Sequence, residues 1–375
     1  MDINLKPTPN LCWLTADYFL DCDIEIIRYL SNYYSICWHV ILPKTNSRFI
    51  ASEIIKWEKA NLEIKIHTNN YRIRDPRSIV FFFGILKQIK KKACKMVYLN
   101  YTPSPIFSMA AILLLPHKKV IVTAHQGEVH AGFKFKFVFT LTYRLFYSHF
   151  TNVNMFSKSE ADKFRKTHTK STLFTIPLAL KNFGECKVRQ NQDKIEFFNF
   201  GTIRPNKDIG LLIKAACSLY EEGIKNFHVT IAGECDNWEQ YERDIKYPEL
   251  FHLIIRKIEN SEINELFCRN HYLVLPYNIV TQSGPLKIAF NYNIPVIASN
   301  LPGFSDEIVD GETGFLFEPG NVADLKRVML KAITNHSAQY SLLQSKLAEQ
   351  VNREYSKIEI EKKYIAMFEA VLATT

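Results

Sequence analysis

Several features that would assign the chain to a special class of protein are missing from its sequence. The eight cysteines include no CxxC pair, and no group of histidines has the spacing of a metal site, so we expect a reducing cytoplasm and no structural zinc. No basic segment followed by an apolar run opens the sequence, and no stretch reaches about 18 apolar residues, so we expect neither a secretory signal nor a membrane span. The scattered glycines and prolines exclude a low-complexity linker or a repeat array.

What the sequence does contain is sufficient for two packed domains. The chain has 375 residues, of which 47% are hydrophobic and 13% aromatic, and this is too apolar for a disordered protein. Its net charge of +9 is unevenly distributed, because residues 1–190 carry 28 basic against 13 acidic side chains, whereas the remainder carries 19 against 25. A basic first half indicates an anionic partner, which is nucleic acid, an anionic membrane surface or an anionic lipid-linked substrate.

Short runs rich in β-forming residues alternate with longer helix-like stretches in both halves. The runs of the first half are LCWLTA, SICWHVILP, LEIKIHT, KMVYLNY, KVIVTAH and TNVNMFS, and those of the second half are IEFFNFG, FHVTIAG, LFHLIIRKI, YLVLPY and IPVIASN. Alternating strands and helices predict parallel sheets with right-handed crossovers. We therefore predict an α/β protein of two doubly wound, Rossmann-like domains that face a central cleft.

The polar stretch 181–194 marks the predicted domain boundary, because the apolar periodicity lapses there and the sign of the charge changes. We predict a first domain over residues 1–185, a second over 186–355, and a final helix over 356–375 that returns to the first domain. In open sheets of this kind, ligands bind beyond the carboxyl ends of the strands. The residues that follow each predicted strand are therefore the candidates for chemistry.

The loop after IEFFNFG combines a glycine with two basic side chains. Gly201 allows close approach of the backbone, Arg204 offers a bidentate fork of donors, and Lys207 adds a point charge. Because a helix-like stretch follows, this arrangement suits a diphosphate at a helix N-terminus. Two solvated surface charges are the alternative interpretation.

The stretch TQSGPLKIAF begins a second helix with a small, polar turn. Ser283 and Gly284 leave the first backbone N–H groups uncovered, and Pro285 fits the first helical turn. An anion at this end gains from the aligned peptide dipoles, typically about 0.3–1 kcal/mol at exposed sites. A helix simply capped by its serine is an equal alternative.

Two further strand ends carry titratable side chains. In VIVTAHQGEVHAGF, His125 ends the strand, and Glu128 and His130 follow a glycine turn, so acid–base or hydrogen-bonding roles are open to them. In NLPGFSDEIVDGETGFLFEPGN, which we interpret as a loop, a short helix and two glycine turns, Asp306 and Glu307 are acidic groups near a strand end. A structural histidine, and acidic caps or solvated charges, are the alternatives.

Taken together, these segments resemble the GT-B fold glycosyltransferases of the family 4 type, the glycosyl transferases group 1. The resemblance covers nearly the whole chain and is most specific over residues 197–320. The motifs that carry it are FGTIRPNKDIGLLIKA, IAGE, SEINELFCRNHYLVLPY and PVIASNLPGFSDEIVDGETGFLFEPGN, with TAHQGEVHAG in the first half and TQSG before the second helix. It implies two Rossmann-like domains, of which the first binds the acceptor and the second a nucleotide-sugar donor.

The resemblance also implies roles for individual residues. Arg204 and Lys207 are expected to bind the donor diphosphate, with backbone N–H groups at Ser283 and Gly284, while His125 lines the cleft near the transferred sugar, with Glu128 as a second catalytic candidate. The donor-binding set that it implies is Gly201, Arg204, Lys207, Lys257, Ile258, Thr281, Gln282, Ser283, Gly284 and Asp306. Of these, Lys257 and Ile258 are expected near the nucleobase.

Four positions depart from the family pattern. Many members have two glutamates at the positions of Val280 and Ile288, which are apolar here. Glycine commonly stands at the position of Asp208, and aspartate at that of Gln126. An early glycine-rich loop on the acceptor side is replaced by LTADYFLDCD. These departures leave open how the donor ribose is held and whether the chain is catalytically competent.

Basic and aromatic residues are interleaved in the first half, in GFKFKFVFTLTYRLFYSHF, KQIKKKACK and YRIRDPR. Such a pattern suits an anionic membrane surface, where each basic residue contributes on the order of 1 kcal/mol. RNA binding through phosphates and stacking, or buried aromatics beside a solvated basic face, are the alternatives. Because no nucleic-acid motif is present, we expect peripheral contact with a membrane and no nucleic acid.

The resulting functional hypothesis is a glycosyltransferase of the hexosyltransferase class. It moves a sugar from a UDP- or GDP-sugar to a hydroxyl of a glycan or lipid-linked glycan, in the assembly of cell-surface polysaccharide, on the cytoplasmic face of the membrane. The resemblance implies retention of anomeric configuration, no cofactor and no obligatory metal. A catalytically silent scaffold protein in a glycan-assembly complex is the principal alternative, and an RNA-binding Rossmann protein is a third.

Overall fold

The structure is a computed structural model that describes residues 10–45, 47, 49–71, 75–127, 136–187 and 193–374. The chain divides into two compact units, and each contains one sheet. The first unit consists of Met1–Ala179 together with Lys357–Thr375, and the second consists of Leu180–Ser356. Within the described residues, no helix has both the length and the hydropathy needed to cross a bilayer.

The first unit contains a seven-stranded parallel sheet with the strand order β3-β2-β1-β4-β5-β6-β7. Its strands are β1 (Leu11–Ala16), β2 (Ile36–Pro43), β3 (Leu62–Asn69), β4 (Met96–Asn100), β5 (Val120–Ala124), β6 (Asn152–Met155) and β7 (Thr172–Thr175). The central strands β1, β4 and β5 are buried along their whole length. This is why they consist of nearly continuous apolar runs, as expected of a parallel sheet that is covered on both faces.

Six helices connect these strands. They are α1 (Leu20–Leu30), α2 (Ala51–Ile55), α3 (Ser78–Lys91), α4 (Pro105–Leu114), α5 (Lys136–His149) and α6 (Lys158–Thr167). Local sequence determines where α4 and α6 begin. Ser104 and Ser157 are N-caps whose hydroxyls accept the N–H groups of Phe107 and Glu160, and Pro105 occupies the first turn of α4, where no N–H is needed.

The second unit contains a six-stranded parallel sheet with the strand order β10-β9-β8-β11-β12-β13. Its strands are β8 (Ile195–Phe200), β9 (Phe227–Ala232), β10 (Phe251–Ile254), β11 (Tyr272–Leu275), β12 (Val296–Ser299) and β13 (Gly314–Phe317). Its helices are α7 (Ile209–Glu221), α8 (Glu239–Glu242), α9 (Asn260–Arg269), α10 (Gly284–Asn291), α11 (Pro302–Ser305), α12 (Val322–Thr334) and α13 (His336–Glu354).

The last helix, α14 (Lys357–Ala373), belongs to the first unit. It packs against α1, and its Tyr364 and Phe368 are fully buried. Their ring centroids lie 5.8 and 6.3 Å from that of Trp13 in β1. Aromatic rings at such separations stabilise a core beyond the area that they bury. The first unit is therefore assembled from two distant parts of the sequence.

The predicted fold class is confirmed, because both units are doubly wound parallel sheets. All eleven predicted strands are present, but two edge strands were not predicted. One is β7, in which two of four residues are exposed threonines. The other is β13. Its region was interpreted as a loop, a short helix and two glycine turns, and this interpretation was wrong because it missed the strand. Four-residue strands that contain or follow turn residues give almost no periodic signal.

Cys186 and Cys268 form a disulfide in the second unit, with Cα atoms 5.8 Å apart. It joins the segment at the start of this unit to the last turn of α9. The two cysteines are 82 residues apart, and their spacing along the sequence indicates no pairing. The other six cysteines form no disulfide.

A buried ion pair fixes helix α10 to the segment that follows α11. Lys287 is 1% exposed, and its ammonium binds the carboxylate of Glu307. The Tyr355 hydroxyl donates to the same carboxylate at 2.7 Å, and the amide of Gln350 donates to the Glu307 carbonyl at 2.7 Å. Since α10 begins at the predicted anion-binding turn, this network positions that turn.

We predict that Lys287→Met lowers the free energy of unfolding by about 3–5 kcal/mol, because it leaves the Glu307 carboxylate buried without its counter-charge. The double variant Lys287→Met with Glu307→Leu should be more stable than this single variant, because both charges are removed. Urea denaturation measures both. Lys346→Met, which breaks an exposed pair with Glu349, is the control and should cost less than about 1 kcal/mol. A double variant as unstable as the single one would contradict the prediction.

Candidate functional site

In the second unit, the loops after β8 and β9 pack directly against each other. Gly201 has a φ of 115°, and a Cβ placed on Gly233 would overlap the carbonyl of Gly201. Both positions therefore require glycine. A Cβ on Gly201 would contact Pro285 in the first turn of α10, at 3.6 Å. The loop after β8 thus lies against the start of α10, as the diphosphate hypothesis requires.

Lys207 is partly buried at the carboxyl edge of this sheet. Its ammonium lies 3.6 Å from the ring centroid of Tyr277, which follows β11. Burial, together with the nearby charge of Arg204, lowers the pKa of Lys207 to about 8. The loops are tied together because the Asn278 side chain donates to the Pro205 carbonyl at 3.3 Å. A bound anion would stabilise the charged form of Lys207, so the site favours anions.

The residue after Lys207 has a left-handed backbone conformation. Asp208 has φ 45° and ψ 48° and precedes the first residue of α7. Glycine adopts this conformation most readily, and aspartate is among the few other residues that tolerate it. This explains how Asp208 stands where the family commonly has glycine: the backbone geometry is kept with a different side chain.

Helix α10 is capped by its serine. The hydroxyl of Ser283, which is 2% exposed, accepts the Leu286 N–H at 3.3 Å, and the Lys287 N–H is directed to the Ser283 carbonyl at 3.4 Å. Because Pro285 has no N–H, the N–H of Gly284 stands at the tip of the helix. Ser283 thus satisfies one of the first N–H groups of the helix, and anion binding at this end stays a prediction.

A lysine that the sequence analysis did not predict lies at the same helix end. A Cβ on Gly284 would lie 3.2 Å from the ammonium of Lys181. An anion at this helix end would lie beside both the positive end of the helix and the Lys181 ammonium, and both attract it. Lys181 lies about a dozen residues before the second sheet, in the polar stretch that marks the predicted domain boundary. This position in the sequence gave no indication of an anion-binding site.

The neighbouring positions of the TQSG turn are held by close backbone packing. A Cβ on Gly303 would lie 2.9 Å from the carbonyl of Val280 and 3.0 Å from that of Thr281. Thr281 and Gln282 are partly buried in this turn. Ile288 is buried in the core of the unit, and Val280 packs against that core. The two family glutamate positions are therefore apolar packing positions in this chain.

The remaining predicted donor residues lie at the same edge of the sheet. Lys257 and Ile258 belong to the loop between β10 and α9, and Ile258 packs against the core. Asp306 is the C-cap that follows α11, and its N–H donates to the Pro302 carbonyl at 3.0 Å. Its neighbour Glu307 is committed to Lys287. The donor-binding roles of these residues stay predictions.

In the first unit, His125 follows β5 and is held by its neighbours. Its Nε2 lies 3.0 Å from Oδ1 of Asn100, which also accepts the Thr123 hydroxyl at 2.9 Å. An amide oxygen only accepts, so Nε2 carries a proton and donates it to Asn100. The imidazole stacks on Phe19, with centroids 3.8 Å apart and planes 5° apart. Glu128 lies outside the described residues.

Asn100 connects His125 to a buried carboxyl group. Its Nδ2 donates to Asp23 at 2.9 Å, and Asp23 also accepts Trp13 Nε1 at 2.8 Å and the Thr15 hydroxyl at 2.6 Å. Burial raises the pKa of Asp23 to about 7, although these three hydrogen bonds act in the opposite direction. Neither Asp23 nor Asn100 was predicted. Asn100 could have been identified as a candidate from the sequence, because it is a polar residue that ends an apolar strand, next to the strand that precedes His125.

A cavity of about 540 Å³ also occurs in the second unit, but at the other end of the strands. Its lining includes Glu196 and His228, near the starts of β8 and β9. Ligands of open α/β sheets bind beyond the carboxyl ends. The cavity therefore does not belong to the candidate donor site.

We predict that stability falls as the pH rises from about 4 to about 7, through the titration of Asp23. The folded state keeps this proton up to about pH 7, whereas an unfolded aspartate loses it near pH 4, so the folded state binds more protons in this window. Over this pH range the free energy of unfolding of the wild type should fall by a few kcal/mol relative to that of Asp23→Asn, as measured by urea denaturation. Asp162→Asn, at an exposed position, is the control. Parallel pH profiles for wild type and Asp23→Asn would refute the assignment.

Comparisons with known proteins agree with this geometry. Residues 185–352 match the family model "Glycosyl transferases group 1". Sucrose-phosphate synthase from Thermosynechococcus elongatus is similar in structure, with a TM-score of 0.77, 12% identity, and coverage of 97% of this chain and 99% of that one. A glycosyltransferase from Rickettsia africae has a TM-score of 0.73, 12% identity and coverage of 98% and 100%.

A third similar structure is that of Anabaena HepE in complex with UDP and glucose, with a TM-score of 0.72, 12% identity and coverage of 96% and 100%. No curated protein sequence matches the chain. At this level of identity the structural similarity establishes the fold, and the family model covers the unit with the predicted donor site. The chain is thus a glycosyltransferase of the GT-B fold, and its residues 185–352 match the family model of the glycosyl transferases group 1.

Proposed function

We propose that this glycosyltransferase transfers a sugar from a UDP- or GDP-sugar to a hydroxyl of a glycan or lipid-linked glycan, with retention of configuration, in the assembly of cell-surface polysaccharide. The observation that carries the proposal is the convergence of Lys207, Lys181 and the Gly284 N–H at the carboxyl edge of the second sheet. HepE, which has the same fold, binds UDP and UDP-glucose. A nucleoside diphosphate supplies the anion that this arrangement favours.

The side chains expected to bind the diphosphate also assist the chemical step. Transfer breaks the bond between the anomeric carbon and the diphosphate oxygen and forms a bond to the acceptor hydroxyl, so negative charge grows on the departing diphosphate. Arg204 and Lys207 stabilise this charge more strongly in the transition state than in the ground state, and this difference is what accelerates a reaction. In the first unit, Asn100 holds the imidazole of His125, which is proposed to lie near the transferred sugar.

We predict that Lys207→Ala weakens donor binding about 10- to 100-fold, because a hydrogen bond to a charged group contributes about 1.5–3 kcal/mol. Lys181→Ala should weaken binding in the same direction. Calorimetry with a panel of UDP- and GDP-sugars measures both effects and identifies the donor nucleotide, and a product assay with lipid extract then identifies the acceptor.

Lys187→Ala is the matched control, because Lys187 is an exposed lysine of the same segment as Lys181. It should bind donor like the wild type. Wild-type affinity in Lys207→Ala would refute the diphosphate site. The absence of donor binding in the wild type itself would favour the scaffold alternative, which the apolar residues Val280 and Ile288 motivate.

The acceptor proposal draws on an exposed apolar surface of the first unit, formed by α4 and α5. The two helices are in contact. Phe137, which is 81% exposed, is one of several large apolar side chains that face solvent here, and the others are Met109, Leu113, Val138, Leu141 and Leu145. Arg144 is exposed on the same helix as Leu141 and Leu145. Apolar side chains beside basic ones are typical of a surface that docks on anionic lipid.

We predict that the protein binds anionic vesicles and that Leu141→Asp weakens this binding at least about tenfold, since it removes an inserted apolar group and adds repulsion. Co-sedimentation with vesicles of phosphatidylcholine, with and without phosphatidylglycerol, measures it. Leu342→Asp, at a residue 60% exposed on α13, should leave binding unchanged. Equal binding of wild type and Leu141→Asp would argue against peripheral contact through α5.

A further inference from the structure

Three potential metal ligands meet inside the first unit, on the strands β1 and β2. Cys12 of β1 and Cys37 of β2 are direct partners in the register of these two parallel strands. His39 lies two residues after Cys37 and therefore on the same face of the sheet. All three are 0% exposed. Their two sulfur atoms and one ring nitrogen all lie within 4.8 Å of one another.

The spacing of these atoms fits a tetrahedral ion. Cys37 Sγ and His39 Nε2 are 3.4 Å apart. Zinc binds thiolate sulfur at about 2.3 Å and imidazole nitrogen at about 2.0–2.1 Å, so two such ligands of a tetrahedral ion are about 3.5 Å apart. This pair of ligand atoms is thus already at the separation that a shared ion would impose. The Cys94 thiol, which contacts that of Cys12, lies outside the group of three.

A second observation points to a ligand role for His39. Its other ring nitrogen, Nδ1, lies 3.0 Å from Nε2 of His67 in β3, and the two rings are stacked with planes 2° apart. Metal-binding histidines nearly always use their second nitrogen in a hydrogen bond, which fixes the tautomer and the direction of the ring. Here that bond directs Nε2 of His39 toward the thiols.

The surroundings allow an ion to enter and its charge to be balanced. Cys94 lines an open cavity of about 400 Å³ between the ends of α3 and α4, together with Ile89, Leu113 and Lys119. Glu63 is the register partner of Cys37, and its carboxylate binds the ammonium of Lys92 at 2.8 Å. The acidic group nearest to the thiols is therefore already neutralised, and Lys92 supplies positive charge beside them.

We propose that Cys12, Cys37 and His39 form a zinc site in the first unit, with His67 as the residue that orients His39. The ion would hold β1 and β2 together, and a water molecule would complete its tetrahedral shell. The expectation of no structural zinc rested on spacing along the sequence. These ligands come from two separate strands, and only the parallel register brings them together.

The test uses the full chain, stripped of metal by a chelator in a phosphine reductant and titrated with Co²⁺. One equivalent should produce the absorption bands of a tetrahedral cobalt–thiolate centre, and Zn²⁺ should abolish them and raise the melting temperature. His67→Phe should weaken Co²⁺ binding about 10- to 100-fold while it leaves the bands unchanged at saturation. Cys217→Ser, at a buried free cysteine of the second unit, should behave like the wild type.

Cys12→Ser and Cys37→Ser should each weaken Co²⁺ binding and the thiolate band, because one of two thiolates is lost. Either variant keeps the test valid if the other does not fold. The proposal is overturned if the wild type shows no cobalt–thiolate absorption at one equivalent. It is equally overturned if Cys217→Ser, and neither Cys12→Ser nor Cys37→Ser, changes the spectrum.

Discussion

The direction of the strands is the constraint on which both candidate sites depend. In a parallel sheet every strand delivers the loop that follows it to the same edge, so residues that are far apart in sequence become neighbours. In the second unit this brings Gly201 and Gly233 into contact and places Lys207 on Tyr277. In the first unit it brings Asn100 of β4 beside His125 after β5. Neither cluster requires a special local motif beyond a polar residue at the end of an apolar strand.

Two lysines of the second unit differ in how their charge is compensated, and this difference distinguishes a structural lysine from one proposed to bind a ligand. Lys287 is buried and paired with Glu307, so its charge is compensated within the fold. Lys207 is partly buried against an aromatic face, and among the described residues it forms no ion pair. Burial and Arg204 lower its pKa instead. The first arrangement is complete by itself, whereas the second gains stability when an anion is supplied.

The sequence was informative wherever one segment carried the whole signal. The strand-end loop with Arg204 and Lys207, and the helix that starts at Ser283, were predicted because propensity, glycine and charge coincide within a few residues. Lys181, Asn100 and Asp23 were not, since each acquires its role only from a partner in another element. The same holds for β13, whose place at a sheet edge is set by pairing with β12 and not by its own four residues.

The discontinuous first unit has a consequence for the order in which the protein folds during synthesis. Its sheet is encoded before residue 180, but the helix that covers Trp13 with Tyr364 and Phe368 is encoded after the entire second unit. On the ribosome, the apolar face of β1 therefore remains without this cover while roughly 180 further residues are translated, which takes on the order of ten to forty seconds at ordinary rates. The second unit, which is continuous, completes its own sheet in that interval. The second unit is thus completed before the first, although the first begins earlier in the sequence. A nascent chain that stalls within α13 would expose the apolar face of β1 to chaperones.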